Sequence, residues 1–118
     1  MSAINLDQLC AKYGWQIACE LHQAIRKQSE NHITQSLGVL QENGVYAFFL
    51  YQASQGLQGK VSFYKLLEEA GIQSFQNVSD PLAAVRDHLA NHLDQLLFAK
   101  RLLEQALIYA RYHAKALE

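Results

Sequence analysis

The chain contains one proline, one threonine, one methionine, one tryptophan and two cysteines among 118 residues. Each scarcity excludes something. A single proline, Pro81, leaves long stretches with no backbone breaker. Valine, isoleucine and threonine are few beside 18 leucines and 15 alanines, a balance that favours helix over strand. No segment alternates apolar and polar residues over a strand's length, so the reading is an all-α domain spanning 1–118. The longest apolar run is Val45–Tyr51, far short of the roughly 20 residues that cross a bilayer. Asn5, Asp7 and Gln8 stand where a secretion signal needs an apolar core. The expectation is therefore a cytoplasmic protein without membrane partners.

The two cysteines agree with that compartment. Cys10 and Cys19 are nine residues apart. On one helix this puts them on opposite faces, about 13 Å apart along the axis, where they cannot pair. They form no clustered metal-ligand pattern either, and read as two small, partly buried thiols in a reducing environment. Charge is also sparse in one respect: ten Lys plus Arg against eleven Asp plus Glu give a net charge of -1. That rules out a polycation, so any nucleic-acid contact has to come from a local patch.

What is present is helical periodicity. Leu6, Leu9, Cys10, Tyr13, Ile17, Leu21, Ala24 and Ile25 recur at spacings of three and four, predicting a first helix over 3–28. Gly14 interrupts it beside Trp15, as expected where a neighbouring helix comes close. Ser29 or Asn31 is placed to cap a second helix that buries Ile33, Leu37 and Leu40 and ends at Asn43-Gly44. The aromatic run Val45–Tyr51 follows as a third helix, either nearly fully buried or covered by a partner. The stretch 54–59, with two glycines, reads as a loop. A short helix over 61–70 turns Phe63, Leu66 and Leu67 inward and stops at Gly71. Residues 71–79 read as irregular. Asp80-Pro81 opens a pattern that runs to the C-terminus as one long helix, or as two with a break near Asn91. Val85, Leu89, Leu93, Leu96, Leu103, Leu107, Ala110, Ala114 and Leu117 form its stripe. The total is a bundle of about five helices.

Catalytic signatures are missing. Gly56 and Gly59 have no strand before them and no Gly-Lys-Ser/Thr after them, so they form no phosphate loop. There is no nucleophile elbow and no helical zinc-protease motif. The acids Glu68-Glu69, Asp87 and Asp94 read as solvated helix faces. His88 and His92 lie on one side of a helix, but no third ligand is evident. They are read as polar surface, and His22, His32 and His113 are assigned no role. No enzymatic activity, cofactor or metal is expected.

The last helix carries the most informative pattern. At about 100° per residue, Lys100, Glu104, Arg111 and Lys115 fall at about 0°, 40°, 20° and 60°, with Arg101 flanking them. Four basic residues and one acid within sixteen positions make a ridge that can follow a phosphate backbone. Tyr109 and Tyr112 are near enough in sequence to support sugar or base contacts. The alternative is an ordinary solvated face with cations near a helix C-terminus.

The segment Leu37-x-x-Leu40-Gln41-Glu42-Asn43-Gly44-Val45-x-Ala47-Phe48-Phe49-Leu50 resembles the small all-helical subunit of Cmr-type (type III-B) CRISPR effector complexes. Asn43 and Gly44 match that family's helix-ending motif. The 54–59 loop, the helix near Phe63–Leu67 and the Ala-, Leu- and Tyr-rich end, Glu104 to Lys115, follow in the same order. The chain departs from the family in having Val45 for Leu, no proline in the preceding helix and no late tryptophan. The resemblance implies a non-catalytic role. It also implies partners: guide and target RNA, other CRISPR effector subunits and copies of the chain itself stacked head to tail. Charge geometry then makes Lys100, Arg101, Arg111 and Lys115 the candidate RNA-binding face, with Lys60 and Lys65 as secondary candidates. A helical scaffold or dimerisation module without RNA contact is the alternative, supported by the aromatic run and the long final helix.

Overall fold

A computed structural model describes residues 5–58, 60–72, 75–76, 80–87 and 89–117. The described residues are all-α: six α-helices with two short 3₁₀ turns, and no strand. The side chain of Asn5 opens α1, Leu6–Ile25, by accepting a hydrogen bond from the Gln8 amide at 3.0 Å. Of the predicted stripe, Cys10, Tyr13, Ile17 and Leu21 are buried, while Leu6 and Ala24 at its two ends are exposed.

The first helix is shorter than its periodicity predicts. It stops at Ile25, and Arg26 takes φ 55° and ψ −120° while its N–H bonds the His22 carbonyl. A 3₁₀ turn over Arg26–Gln28 then reverses the chain. No glycine or proline marks the site. A non-glycine residue at positive φ costs on the order of 1 kcal/mol or more, which the packing of the two helices offsets.

Neither predicted cap is used on α2, Ser29–Asn43: Gln28 occupies the cap position without a side-chain bond, Ser29 is buried inside the first turn, and Asn31 is exposed. Ile33 and Leu40 are fully buried, with Leu37 packed beside them. At the end, Gly44 adopts φ 95° and its N–H bonds the Leu40 carbonyl at 3.0 Å. The Gly44 carbonyl then accepts from Phe48, so α3, Val45–Ser54, begins with no intervening loop. The positive φ at this joint explains why glycine follows Asn43. One side of α3 is buried at Val45, Phe48, Phe49 and Gln52, but Tyr46 and Leu50 are exposed, so the aromatic run is less completely covered than its composition suggests.

The short α4, Phe63–Glu69, places Phe63, Leu66 and Leu67 inward as predicted, and Phe48 meets Phe63 edge-on at 4.8 Å. The stretch 71–79 is described only at 71, 72, 75 and 76, where Phe75 is fully buried against Phe49. Asp80 caps α5, Pro81–Asp87, by accepting from the Leu82 amide at 3.1 Å. A 3₁₀ turn over Leu89–Asn91 breaks the helix near Asn91, and α6 runs from Leu93 to Leu117. That break resets the helical phase. Leu89 is buried, but Leu93, expected in the same stripe, is 67% exposed.

Helix α6 organises the fold, packing against both α1 and α2. Cys10 lies by Leu102, Gly14 by Ala106 and Ala110, and Trp15 by His113. These pairs rise together, so α1 and α6 run parallel. Lys115 meets Glu30 while Lys100 reaches Gln41, so α2 runs antiparallel to α6. Leu103, Ala106, Leu107, Ala110 and Ala114 of α6 are fully buried between its neighbours. The radius of gyration is 13.3 Å, close to the roughly 13–14 Å of a compact chain of this length. No described helix is long and apolar enough to cross a membrane.

Candidate nucleic-acid interface

The basic positions of α6 sit on its solvent side, but their surroundings differ. Arg111 is exposed and has no carboxylate within 4.0 Å among the described residues. Lys115 is exposed and lies 3.8 Å from Glu30, a distance at which a surface pair contributes about 0–1 kcal/mol and yields readily to a phosphate. Lys100 is half-buried and donates to the Gln41 carbonyl at 3.5 Å. The ridge therefore follows the α2 side of α6, over about 22 Å from Lys100 to Lys115 at 1.5 Å per residue. Arg101 is turned away from it. It borders an open groove of about 380 Å³ on the α1 side, with Asp7, Phe98 and Gln105.

The secondary candidates do not extend this ridge. Lys60 lies in the loop before α4, on a groove shared with Glu20 and Ile25 of α1, and Lys65 is exposed on α4. The two tyrosines also separate. Tyr112 is 69% exposed and free to stack. Tyr109 is half-buried and donates its hydroxyl to Asp7 at 2.6 Å, which ties α6 to α1 and raises the phenol pKa. Tyr109 thus serves helix packing rather than presenting a face to a ligand.

Asn43 and Gly44 are structural, forming the α2–α3 joint described above. Among the described residues, no group of three or more His, Cys, Asp or Glu is placed to hold a metal ion. His88 lies outside the described residues, and His92 is exposed.

Two features escape sequence reasoning. The first is a cationic corner. Arg26 and Lys27 sit exposed in the 3₁₀ turn that leads directly into the helix whose Glu30 meets Lys115. They therefore share an end of the bundle with the last turns of α6. In sequence, Arg26-Lys27 looked like the tail of a helix, and only the chain reversal exposes it as a corner.

The second is a buried polar network between α2 and α3. Gln52 donates to the Ser36 hydroxyl at 2.9 Å, and its carbonyl oxygen lies 2.8 Å from His32 Nε2, which must then be the protonated nitrogen. Tyr51 stacks on His32 with ring centroids 5.4 Å apart, and donates to Gln35 at 2.7 Å. Burial lowers the His32 pKa, the bond to Gln52 opposing it. A signal for this network existed: His32 and Ser36 share the α2 face of Ile33 and Leu40, which is where polar groups need partners.

No protein-family model matches the chain, and no curated protein or solved structure is significantly similar to it.

Proposed function

We propose that this chain is a non-catalytic small subunit of a type III CRISPR-Cas RNA-targeting effector complex. In this reading it stacks along the filament with other subunits and copies of itself, and touches the guide and target RNA backbone through the basic side of α6. The observation that carries the reading is the row of Lys100, half-buried, and Arg111 and Lys115, exposed, along one helix of a near-neutral chain. The all-helical order and the Asn43–Gly44 joint support it through the family resemblance. Backbone contacts of this kind position a strand without reading its sequence.

The test replaces Lys100, Arg111 and Lys115 by Glu in the assembled complex. The fold is expected to survive, because none of the three is in the core. Target-RNA affinity falls, and the slope of log K against log salt shrinks by about 2 if three single-strand phosphate contacts are lost. Unchanged affinity at moderate salt removes the ridge from the mechanism.

A second reading, a helical scaffold without RNA contact, is favoured by the exposed apolar side chains of α6 and α3. Leu93, Leu97, Ile108 and Tyr112 lie among the charges of α6, and Leu50 is half exposed on α3. A salt-resistant homodimer whose size ignores added RNA supports the scaffold, and an RNA-dependent, salt-sensitive assembly supports the first reading.

A further inference from the structure

Beside the buried network, a small pocket of about 90 Å³ opens at the α1–α2 corner. Its polar lining is Gln28, Asn31, Gln35 and Gln55, with the stacked rings of His32 and Tyr51, while Ile25 and Leu57 supply apolar wall. No charged side chain lines it. Among the described residues, Gln28, Asn31 and Gln55 make no side-chain hydrogen bond within the chain, and Gln35 uses only its oxygen, for Tyr51. The pocket thus offers several carboxamides, each with donors and an acceptor, beside an aromatic pair fixed by hydrogen bonds.

This chemistry suits a neutral, planar ligand with donors and acceptors on its edge. Carboxamides pair with nucleobase edges, and unpaired bases are typically taken beside aromatic rings. The volume is that of roughly three waters, too small to enclose a fused two-ring system. The pocket adjoins the open groove of about 460 Å³ that carries Lys60, the two sharing Ile25, Gln55 and Leu57. Arg26 and Lys27 lie between Ile25 and Gln28 in the chain, and neither they nor Lys60 has a carboxylate within 4.0 Å among the described residues. The nearby acids are engaged, Glu20 with Ser62 and Glu30 with Lys115.

We propose that this corner is a nucleotide site. The carboxamides and the His32–Tyr51 pair take a pyrimidine base, and Lys60, in the adjoining groove, faces its phosphate. The ligand is either an unpaired nucleotide of an RNA strand or a free mononucleotide. Only the first source rests on the proposed RNA function, which this site would extend from backbone contact to base contact.

The test follows the NMR signals of Tyr51 and the side-chain amides of Asn31 and Gln55 in the full chain. Uridine 5′-monophosphate, ribose 5-phosphate and a 12-nucleotide oligouridine are added in turn, with an abasic 12-mer as control. The monophosphate is expected to shift these signals and to bind at least tenfold more tightly than ribose 5-phosphate. Asn31→Ala with Gln55→Ala, two exposed positions, should abolish that preference and leave the fold unchanged. Lys60→Ala should weaken monophosphate and ribose 5-phosphate alike. Equal binding of those two small ligands, or shifts confined to α6, overturns the site. If oligouridine and its abasic control bind equally without moving Tyr51, the RNA reading stands and the pocket falls. If the monophosphate moves Tyr51 but no oligomer binds the chain or its complex, the pocket stands as a free-nucleotide site and the RNA reading falls. If nothing binds the chain or its complex, both fall.

Discussion

A Cβ atom placed on Gly14 would lie 2.5 Å from the Cβ of Tyr109, closer than two such atoms can sit. The Ala106 carbonyl oxygen and the Ala110 nitrogen are 3.1 and 3.2 Å away. All three neighbours are backbone atoms or fixed to the backbone, so relief requires α6 to move. Gly14→Ala gains about 1 kcal/mol of helix propensity, but overpacking of this kind costs roughly 1–3 kcal/mol. A net loss of stability is expected, seen as a Tm lower by several degrees. An unchanged or raised Tm would show that α1 and α6 are not this close.

A carboxylate from α1 holds the start of α4. Glu20 accepts from the Ser62 amide at 2.9 Å and from its hydroxyl at 2.7 Å, and Gln16 reaches the same hydroxyl at 3.1 Å. Ser62 is buried, so its groups have few alternatives. Glu20→Ala should cost about 1.5–3 kcal/mol, the range for a hydrogen bond to a charged group. The loss should appear as faster amide exchange over Phe63–Leu67. Glu20→Gln, which keeps one acceptor, should lose less.

His32 makes stability depend on pH. Burial lowers its folded pKa below the ordinary value of 6.5. Above pH 6.5 the ring is neutral in both states and contributes no pH dependence. As pH falls below 6.5, the unfolded chain takes up a proton that the folded chain resists, so stability declines until the folded pKa is reached. The slope in that window is at most about 1.4 kcal/mol per pH unit. Urea unfolding between pH 7.5 and 5 should show this decline, and His32→Asn should flatten it. Parallel profiles for the two proteins would remove His32 as the cause.

The thiols should differ in access. Cys10 is buried with its Sγ 3.7 Å from the Leu102 carbonyl, and burial raises its pKa, with Asp7 adding to the effect. Cys19 is only half-buried. Alkylation of the native protein should label Cys19 first and Cys10 only on unfolding. Rapid labelling of both would mean that α6 opens away from α1.

Much of the local structure was legible in the sequence. Asp80-Pro81, Asn43-Gly44 and the inward triad of Phe63, Leu66 and Leu67 act through neighbours within one helical turn, so the letters carry them. The errors have a common origin. Arg26 reverses the chain with no local breaker, Ser29 is buried instead of capping, and Leu93 points outward because a 3₁₀ turn shifts the phase before it. Each depends on where another helix lies. The candidate site was legible only as charge spacing on α6. The pocket at the α1–α2 corner joins residues up to 32 positions apart, Ile25 and Leu57, and no period connects those.

The sequence by itself determined an all-helical chain, its main breaks and a row of cations along its last helix. These follow from side-chain branching, glycine and proline placement and the 3.6-residue repeat, which act over a few residues. Only the tertiary structure decided which faces stay in solvent. By laying α6 between α1 and α2, it tied Tyr109 to Asp7 and left Tyr112 free, and the return of the chain set the groove that carries Lys60 beside an amide-lined pocket. Those outcomes depend on packing between distant segments, where burial and close approach choose among side chains that look equivalent in the sequence.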